Sequence, residues 1–446
     1  MYSNLIFRIS AMALLFSFVL VGCQPEVVND TEYPADEKKT DKYSADVAVR
    51  WADLTMNLVR LEGKNPPQAS RIYAYTALAL YEGVVPGMHN NRSMAKQLNG
   101  LNYLPSRQKN KSYDFPTVAN KSFRDVLVAA FGSLQTQNQA KVDSLYNVIV
   151  GERIAETTVP IYQTSVAFGA SVAAAVNAYM GFDNFTQTRS MVYTVPSRVG
   201  HPEYWAPTGA ATMPAEPFWG QVRPFCMPNA QSCFFPSNIP FDVNASSAFY
   251  IQANNVYTTG INLTQEQKDI ANFWADNAGQ TATPPGHWIS ICTQLAKRNN
   301  MDLAEASEMY LLTGLAVADA FISCWEAKYR INLLRPQTYI RENIDPAWTP
   351  FLPTPAFPEY TSGHSVSSGA ASEVLTQLLG TQAFTDSTSY RAKGLVRSFN
   401  SFYEAADEAA VSRLYGGIHF QEAISNGVAQ GYLVGQSVMN RVELRK

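Results

Sequence analysis

Cysteine and histidine are scarce in this chain. Five of each occur in 446 residues, and no two cysteines form a C-x-x-C pair, which argues against a cysteine-built zinc site. Charge is scarce too: Asp, Glu, Lys and Arg make up 16% of residues and the net charge is −3. That balance supports no basic surface for nucleic acid. Repeats of solenoid period and long low-complexity tracts are missing, and an aromatic content of 12% argues against disorder. What is present is apolar material, 46% of the chain, enough for a large core. Length alone allows one large domain or two or three smaller ones.

The N-terminus reads as a targeting segment. Arg8 precedes an apolar run from Ile9 to Val21, which is short for a membrane span and has the proportions of a signal-peptide core. Leu20-Val21-Gly22-Cys23 follows and resembles the bacterial lipobox, whose cysteine carries lipid and becomes the first mature residue. Residues 1–23 are therefore expected to be a lipoprotein signal and polar residues 24–44 a flexible tether. The product would be an exported bacterial lipoprotein, facing the periplasm or anchored to the outer membrane, with Cys23 as its only membrane contact. A plain signal peptide or short anchor is the alternative. Of the remaining cysteines, Cys226 and Cys233 are close enough in sequence to close a small disulfide loop. Cys292 and Cys324 sit in apolar helical patterns and read as buried thiols.

Apolar residues at spacings of three and four predict helices over 45–62, 67–84, 122–131, 139–156 and 165–180. The same period predicts helices over 264–276, 288–298, 303–334, 365–379, 386–410 and 422–442. Residues 181–245 change character: proline, glycine and aromatics such as Tyr204, Trp205, Phe218, Trp219 and Phe225 replace the helical period. Val192 to Val195 is the one strand candidate. The expected class is all-α, two packed four-helix-type bundles joined by a long ordered connection. The N-terminal helical half is placed at 45–185, the connection at 186–260 and the C-terminal half at 261–446.

Chemistry-bearing residues concentrate in that last part. Lys328 and Arg335 in AKYRINLLRP lie nearly two turns apart, so one helix would present both cations on one face before Pro336 ends it. The run before them, LLTGLAVADAFISC, is apolar all round, so its helix is buried and those charges need a partner. Ser362-Gly363-His364 stands where a loop turns into a helix, whose N-terminus offers amides and a positive dipole to an anion. Ser362 adds a hydroxyl and His364 a proton carrier. Arg413 brings a planar fork of donors suited to an oxyanion, and His419 follows a Gly416-Gly417 bend. Singly, each fits a solvated face or a surface turn. Together they are three cations, an anion turn and two histidines around an anionic substrate or cofactor.

Lys328-x6-Arg335-Pro336, then Ser362-Gly363-His364, then Ser412-Arg413-x5-His419 resembles the three-part signature of vanadium-dependent haloperoxidases and phosphatidic-acid-phosphatase-type acid phosphatases. PTPAFPEYTSGH, FWADNAGQTATPPGHW and CWEAK resemble haloperoxidase segments, and the likeness runs from about Ala45 onward. The long N-terminal helical half also favours that branch. The resemblance implies that vanadate is the cofactor, held by Lys328, Arg335, Ser362, the Gly363 amide and Arg413, with His419 its single protein ligand. His364 would be the acid–base and Lys328 would make bound peroxide electrophilic. Asp276 matches a carboxylate that buttresses the cofactor arginine, here Arg413. Trp325 and Phe357 match positions where halide approaches, with core packing the competing reading. His287 reads equally as a pocket residue or a structural histidine, and His89 and His201 as structural.

Two departures stand out. Thr361 replaces a common proline before Ser-Gly-His. Ala423 replaces the Asp that orients the axial histidine in many relatives, with Glu422 one place earlier. Glu422 or a backbone carbonyl is the expected substitute. The expected activity is oxidation of halide by hydrogen peroxide, iodide first because it is the easiest to oxidise and bromide second, with a monomer as the expected state. A phosphatase with His419 as nucleophile and a non-catalytic phosphate- or vanadate-binding lipoprotein are the alternatives.

Overall fold

The computed structural model describes Pro34 and residues 37–446 except 209–212. The signal segment with Cys23, and nearly all of the tether up to residue 36, lie outside the described residues. The first half contains α1 (Asp46–Leu61), α2 (Pro66–Val84), α3 (Phe115–Phe131), α4 (Thr136–Glu156), α5 (Val159–Gly181) and the short α6 (Phe185–Thr188). After the connection come α7 (Ala248–Ile261), α8 (Gln265–Phe273), α9 (Thr283–Arg298), α10 (Leu303–Ile331), α11 (Pro336–Asn343) and α12 (Gly363–Leu379). The chain then forms β1 (Phe384–Asp386), α13 (Tyr390–Lys393), β2 (Arg397–Phe399), α14 (Phe402–Tyr415) and α15 (Gln421–Arg441). The class is all-α, as the periodicity predicts.

Helix α10 is the axis of the molecule. Its sequence is apolar on every side, so the favourable place for it is the interior, and nearly all of its residues are buried. A capping box of Asp302 and Glu305 satisfies its first amides. It packs on α2, itself buried along most of its length, and on α12, with α9 and α15 beside them. A second, smaller core of Phe249, Val256, Leu334, Tyr339, Tyr360, Phe420 and Ala423 lies under the turn that carries His419.

Several boundaries differ from the sequence expectation, each for a local reason. Helix α10 stops at Ile331 because Asn332 takes the left-handed conformation, φ 54°, which a short polar side chain tolerates. Arg335 is the N-cap residue of α11 and Pro336 its first helical residue, so this proline starts a helix instead of ending one. Lys328 and Arg335 therefore come from different elements. The helix expected over 386–410 is broken: only α13 and the first part of α14 lie within it, and β1 and β2 pair antiparallel, Phe384 opposite Phe399 and Asp386 opposite Arg397. Buried Phe384 and Phe399 next to exposed Thr385 and Ser398 is a period of two too short to notice in sequence. Residues 192–195 form no strand. The connection expected over 186–260 ends in α7, whose Ser247 caps the first turn and whose Phe249, Ala253 and Val256 join the second core. Cys226 and Cys233 are both free and buried.

Helices α12 and α15 approach closely enough that glycine is required. A Cβ on Gly431 would collide with the carbonyl oxygen of Val366 and come within 2.9 Å of Ala370 N. Gly427 faces Ser365 and the Ser362 carbonyl in the same way. This contact fixes the N-terminus of α12 against α15. Gly431→Ala is expected to destabilise the fold by about 1–3 kcal/mol, since backbone cannot move aside as a flexible side chain does. A melting temperature equal to the parent's would contradict the packing.

Candidate active site

Five separate pieces of chain meet at one end of this arrangement. The last turn of α10 brings Lys328, the start of α11 brings Arg335, and the loop before α12 brings Phe357, Glu359 and Ser362. The last turn of α14 brings Arg413, and the bend after it brings His419. Lys328, Arg335, Ser362, Arg413 and His419 are all 3% exposed or less.

His419 is held from both ring nitrogens. Nδ1 donates to Glu359 Oε1 at 2.8 Å, and Arg335 Nη1 donates to Nε2 at 3.1 Å. These partners assign the tautomer with the proton on Nδ1 and the lone pair on Nε2. Burial, then Arg335, Lys328 and Arg413, push its pKa well below the usual value, so the ring is neutral, the form that binds a metal. Glu359 is thus the orienting carboxylate, and neither Glu422 nor a backbone carbonyl has that place. Glu422 instead accepts from Ser237 Oγ and the amides of Asn238 and Ile239, pinning the connection to α15. Ala423 is buried, and its carbonyl accepts from Ser362 N at 3.1 Å.

The loop that carries Glu359 and Ser362 is fixed by the cations. Lys328 Nζ donates to the carbonyls of Pro358, Glu359 and Thr361 at 3.0, 2.9 and 2.5 Å. Burial pulls its pKa down to about 7, while three carbonyl acceptors favour the ammonium form. Arg335 Nε donates to Phe357 O and Nη1 also to Ile418 O. Thr361 does not loosen the turn: its hydroxyl donates to Gln430 Oε1 at 2.6 Å, and Gln430 Nε2 donates to Ser323 Oγ. Proline has no hydroxyl with which to make the first of these contacts.

On the opposite side, one carbonyl organises two groups. Trp274 O accepts from His364 Nε2 and from Arg413 Nη2, both at 2.9 Å. His364 sits at the rim with 17% of its side chain exposed. Burial and Arg413 hold its pKa well below the usual value. Asp276 does not bond Arg413. Its Oδ2 accepts from His287 Nδ1 at 2.9 Å and lies 3.9 Å from His364 Nε2. His287 Nε2 in turn donates to Asp386 Oδ2 at 2.7 Å. Burial pulls His287 down, but the two carboxylates outweigh it and raise its pKa to about 10, so the ring is an imidazolium.

Trp325 and Phe357 pack 4.9 Å apart between ring centroids with their planes tilted by 48°, beside the cations. Arg335 Cζ is 4.9 Å and Lys328 Nζ 5.1 Å from the Phe357 centroid. The geometry therefore gathers Lys328, Arg335, Ser362, Gly363, His364, Arg413 and His419, with Trp325 and Phe357 as one wall. Sequence reasoning missed Glu359 and Asp386. A lone carboxylate inside PAFPEYT, among apolar and aromatic residues, was the available signal for the first.

These residues suit an oxyanion. Arg335 Nη2 is buried without a hydrogen-bond partner, a costly state that an acceptor would relieve. Two guanidinium groups, pulled down by burial only to about 10, stay charged at neutral pH. The neighbouring carboxylates are engaged elsewhere, Glu359 behind His419 and Asp276 with His287. The start of α12 adds amides.

Known proteins share the fold that carries this site. Residues 308–445 match the family described as "VCPO second helical-bundle domain". A crystal structure of a bacterial vanadium-dependent iodoperoxidase superposes with a TM-score of 0.84 at 36% identity, covering 92% of this chain and 99% of that one. A holo-type bacterial vanadium-dependent chloroperoxidase gives 0.65 at 16% identity, over 92% and 98% of the two chains, and shares the fold. No curated protein sequence matches the chain. With 36% identity over nearly its whole length, the chain belongs to the vanadium-dependent haloperoxidases, enzymes that use vanadate and hydrogen peroxide to oxidise halide.

Proposed function

We propose that this enzyme oxidises iodide, with bromide as a poorer substrate. In this reading Arg335, Arg413, Lys328, the Ser362 hydroxyl and the Gly363 amide hold the oxygens of vanadate, and His419 Nε2 is the one protein ligand to vanadium. Bound vanadate is a Lewis acid that polarises peroxide toward halide attack. The chain's own groups do the rest. The cations offset the oxyanion charge in a site from which water is largely excluded. His364, whose Nε2 proton is committed to Trp274 O, has Nδ1 as the nitrogen that takes up and returns protons. Lys328 reaches an oxyanion only by giving up one of its three carbonyls, and otherwise acts through charge. Trp325 and Phe357 form a polarisable wall for a large, weakly hydrated anion.

The observation that carries this reading is His419, neutral, with Nδ1 fixed by Glu359 and Nε2 turned toward Arg335. The preference for iodide is supported by the 36% identical iodoperoxidase and by the ease of oxidising iodide. The test is turnover of hydrogen peroxide with iodide, bromide and chloride by protein loaded with orthovanadate, beside hydrolysis of a phosphate monoester without it. Expected are vanadate-dependent oxidation of iodide, slower oxidation of bromide and none of chloride. Equal or faster chloride oxidation would remove the iodide assignment. Ester hydrolysis inhibited by vanadate, without halide oxidation, would favour the phosphatase, for which an oriented His419 is equally suited.

A further inference from the structure

His287 lies on α9, outside the set of residues that touch the proposed vanadate position. It is nonetheless bonded on both sides by carboxylates from distant parts of the chain, Asp276 after α8 and Asp386 at the end of β1. Its side chain is wholly buried and those of its two partners nearly so. The His287 ring also stacks on Trp274, 4.3 Å between centroids and 22° from parallel. So His287 grips the short segment 274–276 twice, through the Trp274 ring and the Asp276 carboxylate. The carbonyl of Trp274 orients both His364 and Arg413. Asp386 is anchored in its turn, accepting from Gln294 Nε2 and from Thr388 N.

We propose that His287 and Asp386 are positioning residues for halide oxidation: they clamp segment 274–276, whose one carbonyl aims the acid–base His364 and the cofactor arginine Arg413. The proposal rests on the roles given to those two residues above. It explains why a buried imidazolium is kept between two carboxylates where an apolar side chain would cost less. A cavity of about 670 Å³ borders Asp276 and His287, lined also by Asp53, Arg60, Thr283 and Ser290. A small molecule can therefore reach the place of a truncated side chain.

The test compares the parent protein, His287→Ala, Asp386→Asn and, as a lower bound, His419→Ala. Vanadate affinity is measured by equilibrium dialysis, and kcat and the peroxide KM at saturating vanadate. Both clamp variants are expected to bind vanadate about 10–100-fold more weakly, the usual size for a group that orients a ligand, through Arg413. They should also lose kcat through His364. Imidazole added at millimolar concentration is expected to restore His287→Ala in part and to leave Asp386→Asn unchanged, a response that general loosening of the fold would not give. Parent-like affinity and kcat in both variants would overturn the proposal, as would a weakened His287→Ala that imidazole leaves unmoved. If His287→Ala fails to fold, Asp386→Asn decides alone. Equal vanadate affinity in the parent and His419→Ala would instead overturn the assignment of the vanadium ligand, a result separable from the clamp.

Discussion

His419→Ala is expected to leave a folded protein that no longer retains vanadate and no longer oxidises halide. The imidazole turns a neutral nitrogen lone pair, Nε2, into the cationic cluster, where Arg335 donates to it, and its tautomer is set by Glu359 and Arg335. The cations and the α12 amides remain in the variant, so oxyanions should still be attracted, but only as loosely held ions. Losing the sole metal bond, when loss of an orienting neighbour alone costs about 10–100-fold, should weaken vanadate binding by at least about 100-fold. Some stability goes too, because the Glu359 carboxylate loses one of its two donors in a buried place, a cost of about 1–3 kcal/mol. Dialysis against vanadate, with melting temperatures in parallel, separates the two effects. Parent-like vanadate retention in a folded His419→Ala would refute the assignment.

Much of the site is legible in the sequence because its residues stand in short local motifs. Ser-Gly-His at a helix start needs only the apolar period behind it to be placed, and Ser362 is indeed the N-cap residue of α12. Buried α10 is legible for a similar reason, an apolar run with no polar face. The reading fails where two periods compete or where the partner is far away. Lys328 and Arg335 satisfy a helical spacing, yet the left-handed Asn332 breaks the helix between them. They still converge, because α11 starts anew beside the same core. The hairpin of β1 and β2 is hidden because three-residue strands carry too little alternation to outweigh the helix-like run around them.

Long-range pairs are the least legible. Glu359 is 60 residues from His419, and Asp386 is 99 from His287. Nothing in either local sequence names the partner. Only the physical demand that a buried charge find one points toward it. That demand applied to PAFPEYT marks Glu359 as engaged without saying with what. The replaced Asp at Ala423 marks His419 as wanting an acceptor, and those two observations belong together. Asp276 shows the opposite hazard. A resemblance gave it Arg413, and the fold gave it His287, which stands eleven residues away on the first turns of the next helix.

Glu359→Gln is the sharper of two tests of that exchange between Ala423 and Glu359. Glu359 Oε1 accepts from His419 Nδ1 at 2.8 Å and from Phe420 N at 2.9 Å. A glutamine amide oxygen in the same place accepts both, so the geometry of the turn should survive and the melting temperature should change little. Burial raises the Glu359 pKa to about 7 against the pull of Arg335 and Lys328, and what disappears is the negative charge that its ionised form places behind the ring. That charge raises the electron density at Nε2 and balances Arg335 and Lys328. Vanadate affinity is therefore expected to fall about 10–100-fold, the range for orienting partners of metal-binding histidines. Glu359→Leu should do more: it leaves Phe420 N and His419 Nδ1–H without an acceptor in a buried place, at about 1–3 kcal/mol each, and frees the ring to take the other tautomer. With the proton on Nε2 the lone pair no longer faces the cage, and vanadate retention should approach that of His419→Ala. Glu359→Gln with parent affinity, next to a severely weakened Glu359→Leu, would show that Glu359 acts by fixing the tautomer alone. Parent affinity in both would mean that the helix-start amides and the three cations hold His419 in register without any carboxylate behind it.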